Sequence, residues 1–523
     1  MIAKVYSAIP NGYDGHLVEI EGTTANSLPC FNIVGMASKT ITEARERVRA
    51  AIASSDLNFP TKKVTVSLAP AELQKTGSHL DLPIALAILV LSGNLLNSNL
   101  NQKLFAGELS LDGQVRPVHG IINIIEAAKS AGFTEIYVPV DNLPEAQLLS
   151  GVQIIGVKSL RQLVLHLKGI TPLPLPPPVN VVKNTSTGTL SLPDTDYYLD
   201  QIRGQALAKR ALVIALAGHH NLLISGPPGA GKTLIARVAS NLLPAPSPEE
   251  QISIAKIHSL SGAEPSLQHT KRPFRAPHHT SSCVSIIGGG PSAAPGEISL
   301  AHHGILFLDE LLEFPRPVLE ALRGPLEDRT ISISRAHGHF SYPANFILIA
   351  TMNPCPCGHL GDPLHPCTCT TNQIQTYRHK LSGPILDRID LIINVSRVKN
   401  SELIDQVAPP INMQPSQNPN SCPEHTSALA SIANALVLQS KRYNTATRYN
   451  STIRPSEITN YVPLSPSTAK LLKQAISHLN LSARAYFKVL RIARTIADLC
   501  GSSQILPAHL SEALSFRQTL PEH

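Results

Sequence analysis

Eight consecutive residues, Gly226-Pro227-Pro228-Gly229-Ala230-Gly231-Lys232-Thr233, have the types and spacing needed to hold a string of phosphates. Glycine backbone turns successive N–H groups inward around phosphate oxygens, and a helix beginning behind them adds a favourable dipole. Lys232 has the reach for the β- and γ-phosphates, and the Thr233 hydroxyl is a ligand for Mg²⁺. Such a loop works only between a strand and a helix. Apolar Leu222-Leu223-Ile224 precedes it and the helical pattern Leu234-Ile235-Ala236-Arg237-Val238 follows. A glycine-rich turn that merely happens to carry Lys-Thr has no need of that frame, so the expectation is a nucleoside triphosphate site.

Ile305-Leu306-Phe307-Leu308 ends in Asp309-Glu310. Read alone, this is a strand running into solvent. Beside a phosphate loop, a parallel sheet would deliver both carboxylates to the nucleotide. Asp309 would hold Mg²⁺ through its water shell, and Glu310 would orient and activate water. A third apolar strand, Phe346–Thr351, leads to Met352-Asn353, where an amide can bind both the γ-phosphate and the attacking water. Arg388, in Gly383-Pro384-Ile385-Leu386-Asp387-Arg388-Ile389-Asp390, follows a short helical turn. A guanidinium supplied across a subunit boundary neutralises charge growing on the γ-phosphate. The alternative for a single arginine here is a structural ion pair with Asp387 or Asp390.

Cys355-x-Cys357 and Cys367-x-Cys369 form two close pairs on one loop. Four thiolates can surround a tetrahedral Zn²⁺ and order a long polar loop, with no open position for catalysis. The spacing is tighter than the usual C-x₂-C, His359 and His365 are spare ligands, and a reducible disulfide or free thiols remain open. Cys30, Cys283, Cys422 and Cys500 are isolated and expected to be inert. His278-His279 and His302-His303 could bind metal, contact DNA or pack near the nucleotide; structural use is expected for each, with no catalytic role.

The elements that must position these residues are spread over 523 residues, enough for two to four domains, with 43 % hydrophobic content to fill their cores. Lys and Arg outnumber Asp and Glu by 44 to 37, a net charge of +7 that permits a polyanionic partner without demanding one. The N-terminus lacks a secretory pattern, and the longest apolar run, Leu82–Leu91, falls far short of the ~20 residues that span a bilayer. A soluble chain with a cytoplasmic address is expected, with no membrane partner.

Strand-like Lys63–Leu68 and Glu135–Val140, helical Leu82–Leu91 and Ile124–Ala131, and a hairpin turn at Leu111-Asp112-Gly113 give residues 1–168 a mixed α+β character. A Pro-rich linker at 169–195 leads to the phosphate-loop domain, 196–400, a parallel-sheet α/β unit. A polar stretch at 401–426 precedes helical periodicity in Ser427–Tyr443, Ser467–Leu479, Ala483–Cys500 and Pro507–Ser515, so 427–523 reads as a helical lid. The fold class is a multidomain α/β protein.

These elements together resemble the AAA+ ATPases of the magnesium-chelatase-like branch, and within it the competence protein ComM (YifB) family of bacterial DNA-handling ATPases. The resemblance covers essentially the whole chain. It rests on Ile202-Arg203-Gly204-Gln205, Phe274-Arg275-Ala276-Pro277-His278-His279, Gly288-Gly289-Gly290, Ala301-His302-His303-Gly304 and Ala350–Gly358. It implies ATP as the nucleotide, Asn353 as sensor 1, Arg388 as arginine finger, Arg484 as sensor 2 from the lid, and Ile202 beside the adenine. It also implies a homo-hexamer, which would supply the arginine in trans. Alternating Ile331 and Ile333 followed by Arg335 and Gly338 read as a hairpin. In related motors a hairpin here grips nucleic acid in the pore, so Arg335 and His337 are candidate phosphate contacts, or parts of a plain supporting hairpin.

Lys75–Pro83 and Gly107–Gly113 resemble the Lon-protease-type, S5-like fold. Without gaps, the serine nucleophile's place falls on His79 and the lysine base's near Ile122, with Ser78 one position off. This block is therefore read as non-proteolytic. The resemblance implies an ATP-driven hexameric motor on single-stranded or branched DNA, with helicase or branch-migration activity, serving recombination of incoming DNA in natural transformation. A magnesium-chelatase subunit powering metal insertion into a tetrapyrrole is the second reading. The Lon-like block and the cysteines weigh against it. An ATP-dependent protease is the third, weighed against by the missing Ser–Lys pair.

Overall fold

Five strands, all parallel, form the sheet that carries the phosphate loop. The computed structural model describes residues 2–35, 39–73, 75, 77–175, 197–262, 271–290, 293–335, 338–362, 364–397, 422–479 and 481–517. The sheet order is Phe274–Arg275, Ile305–Leu308, Ile347–Met352, Leu222–Ser225 and Leu391–Asn394. Every residue of Ile305–Leu308, Ile347–Met352 and Leu222–Ser225 is buried but none is charged, as a parallel sheet covered on both faces requires. Register sets Leu308 opposite Ala350 and Ser225 opposite Met352. The carboxyl ends of these three strands therefore open side by side, where ligands bind in sheets of this kind.

The N-terminal residues build a seven-stranded mixed sheet in the order Phe31–Val34, Lys63–Ala69, Asp14–Ala25, Ile2–Asn11, Lys103–Phe105, Glu135–Pro139 and Gln153–Val157. The helix Asp81–Leu91 is buried over Asp81–Val90, which explains an apolar run with no polar face. Glu108–Leu109 and Val115–Arg116 pair around the turn at Leu111-Asp112-Gly113, where Gly113 takes φ +82°. This unit docks on the helix Pro248–Ser261: the Lys256 ammonium pairs with Glu126 and lies 3.9 Å from the Tyr13 ring centroid, and Tyr13 Oη is 2.9 Å from Ser253 Oγ.

Helices Pro423–Tyr443, Pro466–Leu479, Ala483–Leu499 and Pro507–Ser515 share one hydrophobic core with Ala206–Gly218 of the nucleotide unit. The first begins at Pro423, earlier than periodicity alone suggests, because proline is well placed in a first helical turn. A buried pair of Arg272 and Glu250 (2.7 Å), joined by Tyr449 Oη at 3.0 Å, ties these helices to the sheet edge. Burial opposes the Glu250 charge, but the adjacent guanidinium outweighs it and holds the carboxyl below its usual range. Residues 176–196 and 398–421, where most of both expected linkers fall, lie outside the described residues. Among the described residues no helix is long and apolar enough to cross a membrane.

Candidate active site

The phosphate loop uses its glycines for two different reasons. Gly229 and Gly231 sit at φ +78° and +79° with open space where a side chain would go, so conformation alone selects glycine. A Cβ on Gly226 would stand 2.4 Å from the Val395 carbonyl oxygen, so there packing selects it. Pro227, Pro228 and Ala230 fill the remaining turn, and the helix Lys232–Leu242 starts directly behind it.

Lys232 donates to the carbonyls of Gly226 and Pro227 and, at 2.9 Å, to Asn353 Oδ1. Two expected site residues 121 positions apart thus meet across neighbouring strands. Burial pushes the Lys232 ammonium down to about 8, against the pull of Asp309 and Glu310. A neutral lysine no longer attracts phosphate. ATP affinity should therefore fall as pH rises above about 8, by up to about tenfold per pH unit, because binding must then take up a proton. Titration of a fluorescent ATP analogue between pH 7 and 9.5 checks this, and Lys232→Arg, which stays charged, should lack the slope.

Thr233 Oγ1 lies 3.1 Å from Asp309 Oδ2, and Thr351 donates its hydroxyl proton to Asp309 Oδ1. The Glu310 N–H in turn donates to Thr351 Oγ1 at 3.1 Å. This hard-oxygen pair, a hydroxyl beside a carboxylate, fits Mg²⁺. Thr351 is a positioning residue that sequence reading missed; as a β-branched residue at the end of an apolar strand it reads as strand filler. Glu310 has φ +53°, a costly conformation for a non-glycine residue, and it swings its half-exposed carboxylate out of the strand. The carboxylate reaches within 3.9 Å of His279 Nδ1. A cavity of about 540 Å³ opens here, lined by Thr233, Arg237, Phe274, His279, Asp309 and Glu310 among others. His279, of the His278-His279 pair expected to be structural, thus stands beside the candidate base.

The strand Ile347–Met352 runs through Asn353 straight into the cysteine loop. Cys355 Sγ is 3.4 Å from Cys357 Sγ and 3.7 Å from Cys367 Sγ, Cys357 and Cys367 are 3.6 Å apart, and all four sulfurs, with Cys369, lie within 4.8 Å of one another. The edge of a ZnS₄ tetrahedron with 2.3 Å bonds is about 3.8 Å, so the set fits that ion in number, chemistry and spacing. Burial opposes ionisation of Cys357, but backbone N–H groups and neighbouring thiols outweigh it and hold that thiol well below its usual range. The loop also touches the phosphate loop. A Cβ on Gly358 would stand 2.8 Å from Pro228 Cδ, and Arg397 Nε reaches both Pro228 O (3.2 Å) and Asp362 Oδ2 (3.5 Å).

Arg388 and Arg484 stand elsewhere. They line a separate cavity of about 530 Å³ that contains no phosphate-loop residue. Arg388 is held by the Pro384 carbonyl (2.7 Å) and by the carboxylate of Glu327, not by Asp387 or Asp390. It is Arg484 that approaches Asp387, at 3.8 Å. Ile202 is buried in the core beside the helix Ala206–Gly218. Thr330–Arg335 and Gly338–Pro343 form the expected hairpin, with Phe340 against Gly12 of the N-terminal sheet. The Arg335 side chain and His337 lie outside the described residues. In the N-terminal unit Ile122 is fully buried, His79 is buried with its imidazole pushed down to about 4 by desolvation, and Ser78 donates to Glu108.

Residues 198–403 match the family described as magnesium chelatase, subunit ChlI; residues 20–142 match subunit ChlI of Mg-chelatase, and 424–517 its C-terminal family. Competence protein ComM of Haemophilus influenzae is 41 % identical over 520 residues, covering 99 % of this chain and 97 % of that protein. YifB of Salmonella typhimurium is 39 % identical over 521 residues, with coverage of 99 % and 97 %. Archaeal Lon protease of Methanocaldococcus jannaschii is 30 % identical over 140 residues, 26 % of this chain and 22 % of that one. Lon-like similarity is thus partial, whereas similarity to ComM and YifB runs the length of both chains. The chain belongs to the ComM/YifB family of magnesium-chelatase-like AAA+ ATPases.

Proposed function

We propose that this protein is an ATP-driven motor on single-stranded or branched DNA, working as a homo-hexameric ring in the recombination of incoming DNA. The observation that carries the reading is the separation of two half-sites. Lys232, Thr233, Asp309, Glu310 and Asn353 converge at one sheet end, while Arg388 and Arg484 line another cavity. A second copy is needed to complete the first half-site.

In this reading the N–H groups from Gly226 to Gly231 and the Lys232 ammonium hold the β- and γ-phosphates of ATP. Thr233 and Asp309 hold Mg²⁺, which when bound neutralises phosphate charge. Asn353 orients the attacking water, and Glu310 takes its proton. Arg388 from an adjacent copy stabilises the charge that develops on the γ-phosphate. Arg484 acts from the lid and Ile202 beside the adenine. Cys355, Cys357, Cys367 and Cys369 hold a structural Zn²⁺ that braces Asn353 and the phosphate loop together. Arg335 and His337 contact DNA phosphates, and residues 1–168 form a non-proteolytic unit. The competence name of the Haemophilus relative supports the DNA role.

Branch migration of a synthetic junction by the purified chain with ATP tests the proposal, with Glu310→Gln as the inactive control. Junctions resolved only by the active chain support it. The magnesium-chelatase matches favour a second reading, metal insertion into a tetrapyrrole. An ATPase that leaves every junction intact would bring it forward.

A further inference from the structure

Away from the nucleotide, one buried histidine joins elements that are far apart in the chain. His302 Nδ1 accepts the backbone N–H of Asn345 at 3.0 Å, and its Nε2 lies 3.0 Å from Ser253 Oγ. Burial and the neighbouring His303 hold this imidazole neutral, well below its usual range. A neutral ring that accepts at Nδ1 carries its proton on Nε2, so His302 donates to Ser253. Ser253 Oγ in turn shares a hydrogen bond with Tyr13 Oη at 2.9 Å. Tyr13, Ser253, His302 and the main chain of Asn345 thus form one continuous chain.

Its two ends stand at telling places. Tyr13 belongs to the N-terminal unit, in the two-residue turn between Ile2–Asn11 and Asp14–Ala25. Gly12 takes φ +63° there, as a tight hairpin with glycine at its first turn position does, and Asn123 Nδ2 donates to the Tyr13 carbonyl at 2.7 Å. The Tyr13 ring leaves its own sheet and packs against the same hydrophobic core as Ile331, Ile333, Leu348 and Met352 of the nucleotide unit. Asn345, at the other end, lies between the hairpin strand Gly338–Pro343 and the strand Ile347–Met352 that leads to Asn353. Its carbonyl accepts the His303 N–H at 2.6 Å, so both main-chain polar groups of Asn345 are bound to the histidine pair. A hairpin pulled by a bound strand pivots about its base. With that base clamped to a ring fixed on the N-terminal unit, the pull passes into the next strand instead of being lost in a local shift.

We propose that Tyr13, Ser253 and His302 are positioning residues that couple the hairpin to the nucleotide: by clamping Asn345 they carry movement of the hairpin on nucleic acid into the strand that presents Asn353. The proposal rests on the reading that the hairpin Thr330–Pro343 contacts DNA. Tyr13 sits in a different unit from the phosphate loop, so ATP turnover without DNA does not need its hydroxyl.

Steady-state ATP turnover with and without single-stranded DNA tests this in Tyr13→Phe, which removes one hydroxyl and keeps the ring in the core. Turnover without DNA should match that of the parent chain, while the stimulation by DNA should fall about 3-fold or more. Ser253→Ala should do the same. Because both residues belong to one chain, the double variant should lose no more than either single variant. A Tyr13→Phe protein stimulated as strongly as the parent would overturn the proposal. So would one slowed equally with and without DNA, which marks a merely structural contact. Additive losses in the double variant would overturn it too, since Tyr13 and Ser253 would then act separately. A parent chain that no DNA stimulates would overturn the DNA reading and this role with it, whereas a stimulated parent leaves only this role at stake.

Discussion

Replacing Glu310 by glutamine should lower ATP turnover by about 10²–10⁴-fold while leaving ATP affinity nearly unchanged. The amide keeps the shape of the side chain and the φ +53° backbone that aims it, but it cannot accept the proton of the attacking water. Lys232→Ala should behave differently, because it removes the cation that meets the phosphates and so removes binding as well. Phosphate release measured beside fluorescent-nucleotide binding separates the two effects. A Glu310→Gln protein that still turned over ATP would place the base elsewhere, and it would leave the 3.9 Å approach of His279 to this carboxylate without a role in hydrolysis.

The second large effect is expected at the cysteine loop. The purified chain should carry about one zinc ion, and Cys355→Ser should lose it. Structural zinc sites supply about 10–16 kcal/mol of apparent binding energy, well beyond what the few contacts of Gly358, His359 and Asp362 contribute to this loop. The consequence should reach the nucleotide. Asn353 stands two residues before Cys355, and Gly358 packs on Pro228, so a loosened loop releases both the amide that meets Lys232 and one wall of the phosphate loop. ATP turnover should fall with zinc content across a chelator series read by atomic absorption. Full turnover and an unchanged melting temperature in the zinc-free protein would rule out a structural zinc ion in this loop.

What the sequence made legible follows from how local each signal is. The phosphate loop, Asp309-Glu310 and Asn353 each close a strand, so an apolar run followed by the right polar residue located them, and the sheet register brings them together. The helix Asp81–Leu91 was legible for the same reason, as an uninterrupted apolar run with no polar face. Thr351 was not, because its role depends on facing Asp309 from the next strand. Nor was Glu327 as the partner of Arg388: two acids nearer in sequence competed, and only the tertiary fold favours one 61 positions away. The cations at 484, 488 and 491 repeat at helical spacing, but charges on a helix usually mark a solvated face. All three line the same cavity as Arg388 and Asp387, which only the tertiary fold reveals.

In the proposed reading, hydrolysis at this site drives movement on DNA. Steady-state ATP turnover of the purified chain with no DNA, with single-stranded DNA and with a branched junction tests it most directly, with Lys232→Ala as the background. Turnover should rise several-fold with DNA and vanish in the variant. Turnover equal in all three conditions would contradict the DNA motor and leave the ATPase chemistry of Lys232, Asp309 and Glu310 in service of another substrate.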